Sequence, residues 1–213
     1  LVDSLFKTNL KKLQSAFFIL TLSASVFAQT KPDALVLYKQ GKYAEAVAVC
    51  ENEIKANPSN LDSYVVITWA LLADKQYDRA YTIADKGRKI AQSDPRLIET
   101  QAEACYNLGK NAEALKLFQD YISYAPNGIR IPSSYYFMGE IYLRMAQYQH
   151  ADIAFSVAVI LDAYNSFWWV RLGYAREQMK DYRYSLEAYD KALSLNKNNV
   201  DAQKGRERVL KHF

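Results

Sequence analysis

The 213-residue chain is long enough for one domain with a sizeable core. Half its residues are apolar and 23% are charged, with only 7 Gly and 5 Pro, which excludes disordered, collagen-like and multi-span membrane proteins. The net charge is +4, but three lysines and one aspartate precede Gln29, leaving 24 basic against 22 acidic residues and no concentrated basic stripe for nucleic acid.

Residues 1–28 read as an export signal. Lys7, Lys11 and Lys12 precede an uncharged run, AFFILTLSASVFA, from Ala16 to Ala28, shorter than the roughly 20 residues a bilayer core needs. Val26 and Ala28 are the small residues a signal peptidase reads, so cleavage after Ala28 is expected. No Cys lies there for lipid modification. The expected destination is the periplasm, with full secretion or an uncleaved anchor as alternatives, and the processed chain has no further long apolar run.

From residue 33 onward the chain repeats. The turns Gly41-Lys42-Tyr43, Lys75-Gln76-Tyr77, Gly109-Lys110-Asn111, Ala146-Gln147-Tyr148 and Lys180-Asp181-Tyr182 recur at intervals of 34, 34, 37 and 34 residues. Each is followed by a small residue (Ala46, Ala80, Ala114, Ala151, Ser185). One helical turn later come Cys50, Ala84, Phe118, Phe155 and Tyr189 on the same face. Small residues allow close helix approach, and larger ones fill the space between pairs. Breaks at Asn57-Pro58, Ser93-Asp94-Pro95, Ala125-Pro126-Asn127-Gly128 and Asn196 to Asn199 close the units.

The pattern predicts first helices near 33–40, 61–73, 96–107, 133–145 and 166–179, and second helices near 43–56, 77–91, 111–124, 148–162 and 182–195. A polar-faced capping helix is expected over 200–211. The fold class is therefore all-α: repeats 33–60, 61–94, 95–128, 132–164 and 165–199 plus the cap, one domain over 33–211. The 37-residue interval places three extra residues in the loop Asn127–Pro132, an expected bend. Cys50 and Cys105 fall at packing positions of different repeats and read as buried thiols rather than a bridge.

These residues resemble the tetratricopeptide repeat family. Trp169, Leu172-Gly173, Tyr182, Tyr189, Ala192 and Leu193 match its pattern best, followed by Tyr135, Met138-Gly139, Tyr142, Tyr148, Ala151, Phe155 and Ala158. Thr68, Asn111, Ala163 and Lys197 depart from it. The resemblance implies an α–α superhelix that binds a peptide or protein segment along a concave face lined by first helices.

Transferring the inward positions gives Tyr38, Trp69, Glu99, Glu103, Tyr106, Tyr136, Glu140, Phe167 and Tyr174 as candidate partner contacts. Tyr and Trp provide large contact area with few torsions to freeze. The three glutamates read either as a lure for a basic segment or as a solvated face. Trp69 and Tyr174 read either as ligand anchors or as packing between first helices. Trp169 is assigned to the core and Trp168 to the surface. With Glu-rich inward positions, capture of a carboxylate terminus by a basic clamp is disfavoured.

No phosphate loop, nucleophile elbow or metal-ligand spacing is present, and His150 and His212 lie far apart. Glu99 and Glu103 are one turn apart, but an open groove gives no desolvation to split their pKa values for acid–base work. The reading is a non-catalytic envelope scaffold or adaptor with no cofactor or metal. A small-ligand component of a transport system is the alternative, and apolar stack ends leave room for a homo-oligomer.

Overall fold

The computed structural model describes residues 33–213. The export signal expected over 1–28, and Pro32, lie outside the described residues.

The periodic turns set the architecture. Gly41, Lys75, Gly109, Ala146 and Lys180, one per repeat, all have φ between 55° and 75°. This left-handed residue closes each first helix and points the chain back along itself. The result, among the described residues, is an all-helical chain: α1 (Ala34–Lys39), α2 (Tyr43–Ala56), α3 (Leu61–Ala73), α4 (Tyr77–Ile90), α5 (Pro95–Asn107), α6 (Asn111–Tyr124), α7 (Ile131–Arg144), α8 (Tyr148–Leu161), α9 (Ser166–Gln178), α10 (Tyr182–Leu195) and α11 (Val200–Leu210). Four of these match the expected boundaries to the residue, and most others differ by one at an end. The exception is α7, which begins at Ile131 rather than 133. Pro132 therefore lies inside the first turn, where its missing N–H would have had no partner anyway.

Stacking follows from the small residues. Ala46, Ala80, Ala114, Ala151 and Ser185 are fully buried, as are Phe118 and Phe155 one turn on. Gly139 and Gly173 provide the matching space: a Cβ on Gly139 would lie 2.6 Å from the Phe155 ring, and one on Gly173 2.9 Å from Tyr189. Each helix packs on its sequence neighbours, and first helices also touch across repeats, α1 on α3, α3 on α5, α5 on α7, and α9 on α11. The core is thus a row of local clusters rather than one centre.

Asp94, Asn165 and Asn199 cap α5, α9 and α11 by accepting from the backbone N–H of Arg96, Trp168 and Ala202. Cys50 and Cys105 are both buried. Burial, together with nearby Glu113, pushes the Cys105 thiol up to about 12, so it stays protonated and unreactive. Among the described residues no helix is long and apolar enough to cross a membrane.

Candidate functional site

The first helices form one wall, and the nine candidate residues divide into three groups along it. Tyr38 on α1, Trp69 on α3, and Glu99 and Glu103 on α5 line a single cleft of about 700 Å³. Tyr106, Tyr136 and Glu140 lie in a packed middle section. Phe167 and Tyr174 on α9 line a second, smaller cleft of about 230 Å³ with Arg171, Tyr189 and Arg208.

The first cleft has an apolar floor and a charged side. Trp69 packs on Tyr38 with ring centroids 6.0 Å apart, and Leu72, Ala73 and Pro95 extend the apolar surface. Trp69 is thus both a packing residue and a cleft residue, which unites its two readings. The opposite edge comes from the loop after α6, through Gly128, Ile129 and Arg130. Ile129 is 94% exposed. Gly128 is required by close approach, since a Cβ there would lie 2.3 Å from the Tyr121 hydroxyl. The Tyr121 oxygen in turn accepts from the Arg130 backbone N–H at 3.2 Å. The three extra residues of the 37-residue repeat therefore build one rim of the cleft.

Arg130 corrects the expectation for the glutamates. Its Nε donates to Glu99 at 2.8 Å and its Nη2 to Glu103 at 2.8 Å. Glu99 is only 6% exposed, so it is neither a solvated face nor a free lure for basic ligands. Burial, and then the charge of Glu99, push the Glu103 carboxyl above its usual range despite Arg130. Burial alone would lower the Arg130 guanidinium, but the two carboxylates more than reverse this and hold it above its ordinary value.

The same device recurs along the wall. Arg96 donates to Asp62 at 2.9 Å across 34 residues, Arg171 forms a two-pronged pair with Glu140 across 31, and Arg208 donates to both oxygens of Glu177 at 2.7 and 2.8 Å across 31. Each arginine reaches from one repeat to an acid on the preceding one, Arg171 and Arg208 in the bidentate geometry guanidinium favours and Arg96 through a single bond. The wall therefore carries arginines beside its glutamates. Each is committed to an acid, so it is not a free carboxylate clamp. A period of 31–34 residues between acid and arginine was the available sequence signal.

In the middle section the aromatics fill the wall. Tyr136 stacks on Trp168 at 5.4 Å and 11°, and lies within 6.0 Å of the Phe137, Phe155 and Phe167 rings. Trp168 is therefore not a free surface residue. It is half-buried, as is Trp169, whose Nε1 donates to the Ala163 carbonyl at 2.9 Å. Burial pushes the Tyr136 phenol upward. Tyr106 packs on Phe137 at 4.8 Å and lies beneath the Arg144 guanidinium at 3.9 Å.

Such a wall of stacked helical hairpins, with a cleft between repeats, defines a repeat protein of the partner-holding class. Residues 39–121 match the family model described as anaphase-promoting complex, cyclosome, subunit 3, and residues 169–199 match the tetratricopeptide repeat model. Together with the fold, these matches support a tetratricopeptide repeat protein. A curated relative, anaphase-promoting complex subunit 3 of Schizosaccharomyces pombe, is 22% identical over 157 residues, a match spanning 74% of this chain and 23% of that protein. Among solved structures, MamA 41-end from Desulfovibrio magneticus RS-1 is similar at TM-score 0.70 and 19% identity, over 78% of this chain and 93% of its own. YrrB, described as a TPR protein with an unusual peptide-binding site, is similar at TM-score 0.69 and 15% identity, over 82% of this chain and 88% of its own. These structural likenesses establish the fold.

Proposed function

We propose that this tetratricopeptide repeat protein is a non-catalytic scaffold that holds an extended segment of a partner protein in the cleft between α1, α3 and α5. The observation that carries the reading is the cleft itself: Tyr38, Trp69, Leu72 and Ile129 offer apolar contact, while the Glu99–Arg130–Glu103 group sets a polar edge. Large rings beside a satisfied charged network suit an apolar anchor side chain flanked by backbone polar groups. Because the glutamates already hold Arg130, a basic partner gains little there. The description of YrrB as having a peptide-binding site supports the same kind of use for this fold.

The proposed location is the cell envelope, supported by the sequence of residues 1–28. Crosslinking and pull-down of the processed chain from its native envelope tests both parts. Folded Trp69→Ala should lose the partner recovered by the wild type; unchanged recovery removes the cleft reading.

A second reading rests on the volume of the cleft, about 700 Å³, which falls within the range of small-molecule sites. On that reading the protein is a small-ligand component of a transport system. Absence of any captured protein, with a small molecule retained by wild type and lost by Trp69→Ala, would favour it.

A further inference from the structure

The outward positions of the second helices can be compared in register. At two, six and nine residues after the buried small residue, α2 carries Ala48, Asn52 and Lys55; α4 carries Thr82, Lys86 and Lys89; α6 carries Lys116, Asp120 and Ser123; α10 carries Glu187, Lys191 and Ser194. In α8 the same positions are Ile153, Val157 and Ile160. Ile153 is 63% exposed and Ile160 77%, with Val157 half-buried between them, and Tyr164 just past the helix end is 87% exposed. The spacing of these four, four, three and four residues, is that of a helix–helix seam. The inner face of α8, through Ala151, Phe155 and Ala158, is already buried, so the repeat fold does not use this stripe. Contiguous exposed apolar surface of this kind marks a contact.

We propose that this stripe joins two copies of the chain through a twofold contact centred on α8. The flanking charges identify a second copy as the occupant. In the outer layer α8 lies between α6 and α10, whose outward positions carry Lys116 and Asp120 on one side and Glu187 and Lys191 on the other. The signs are reversed at equal height. With the twofold axis along α8, Lys116 meets the partner's Glu187 and Asp120 meets the partner's Lys191. This arrangement brings opposite charges together while the apolar seam meets itself, the self-complementarity an isologous interface requires.

Within one chain these groups form only loose exposed pairs, Lys116–Asp120 at 3.8 Å and Arg183–Glu187 at 3.6 Å, so their exchange costs little. A helix of 14 residues presents a face of roughly 20 by 10 Å, well under the ~800 Å² per partner of a stable complex, so the α6 and α10 rims must join the contact.

The test uses the full chain, co-expressed in two differently tagged copies. Capture through one tag should recover the copy carrying the other, and Ile153→Glu with Ile160→Glu should reduce that recovery at least tenfold while circular dichroism retains the helical signal. A photo-reactive residue at position 160 should give a self-adduct of twice the chain mass, and one at Lys86, the outward position of α4, should not. Recovery unaffected by the two glutamates, or an adduct at 160 only with another protein or with lipid, would overturn the proposal. Should the double variant not fold, Lys116→Glu with Asp120→Lys serves instead: it makes like charges meet α10 when the axis runs along α8, and charge reversal at Glu187 and Lys191 should then restore recovery. Unaltered recovery by that folded variant, or absence of both adduct and recovery in the wild type, refutes the contact.

Discussion

The two halves of the first-helix wall use equivalent positions for different ends. Between α1 and α5 the residues facing inward leave a cleft, because Leu72 and Ala73 are small beside Trp69 and the rim is supplied by a loop rather than a helix. Between α5 and α9 the corresponding surface is filled by Tyr106, Tyr136, Phe137, Phe167 and Trp168, whose rings reach one another across the repeat spacing. Aromatic enrichment alone therefore does not mark a binding surface. Rings numerous enough to touch on all sides become core, whereas the short row Tyr43–Tyr38–Trp69, beside small residues, keeps a face available.

That contrast is broken most directly by truncating a ring in the filled half. Tyr136→Ala should destabilise the fold by about 3 kcal/mol, read by denaturant titration, because the aromatic cluster around it cannot collapse fully. A cost near zero would mean the filled half is as open as the cleft.

Arg130→Ala should cost about 2 kcal/mol in the same assay, since it leaves buried Glu99 and nearby Glu103 without their cation. Adding Glu99→Gln should recover part of the loss, because a neutral amide at this position is cheaper to leave unpaired.

The two halves should also respond oppositely to pH. Burial pushes Glu177 up, but the Arg208 guanidinium and the Tyr189 hydroxyl, at 2.7 Å, more than offset this and hold its carboxyl below the usual range. Its contribution is thus present above the ordinary carboxylate value of about 4.3 and is lost as pH falls through the lowered one. Glu103 is held above that range, so its contribution is present at acid pH and lost as pH rises through the raised value. Glu103→Gln should therefore cost less stability at neutral pH than Glu177→Gln, and the order should reverse in acid.

The smallest expected effect lies in the turns. Ala146, at φ 55°, occupies the left-handed conformation that Gly41 and Gly109 adopt without a Cβ penalty. Ala146→Gly should raise stability by about 0.5–1 kcal/mol, seen as a higher thermal midpoint.

Much of this was legible beforehand. The turn period, the buried small residues and the packing aromatics fix helix order and boundaries because they are local signals repeated five times. The cleft was half legible: Tyr38, Trp69, Glu99 and Glu103 follow from register, but Gly128, Ile129 and Arg130 lie in an insertion that register cannot align. The role of the glutamates was misread for a related reason. Their partners lie 27 to 31 residues away, and pairing across repeats depends on how closely first helices stack, which periodicity alone does not give. Trp168 was misassigned because adjacent helical positions differ by about 100°, and on a wall curved around Tyr136 both Trp168 and Trp169 find neighbours.

The most direct measurement places a photo-reactive side chain at Leu72, inside the first cleft, and at Tyr136, inside the filled section, and identifies the adducts formed in the native envelope. A partner protein captured from position 72, absent from position 136 and lost when Trp69→Ala is added, is the expected result. Equal capture from both positions, or capture at 72 indifferent to Trp69, would contradict a binding cleft confined to α1, α3 and α5.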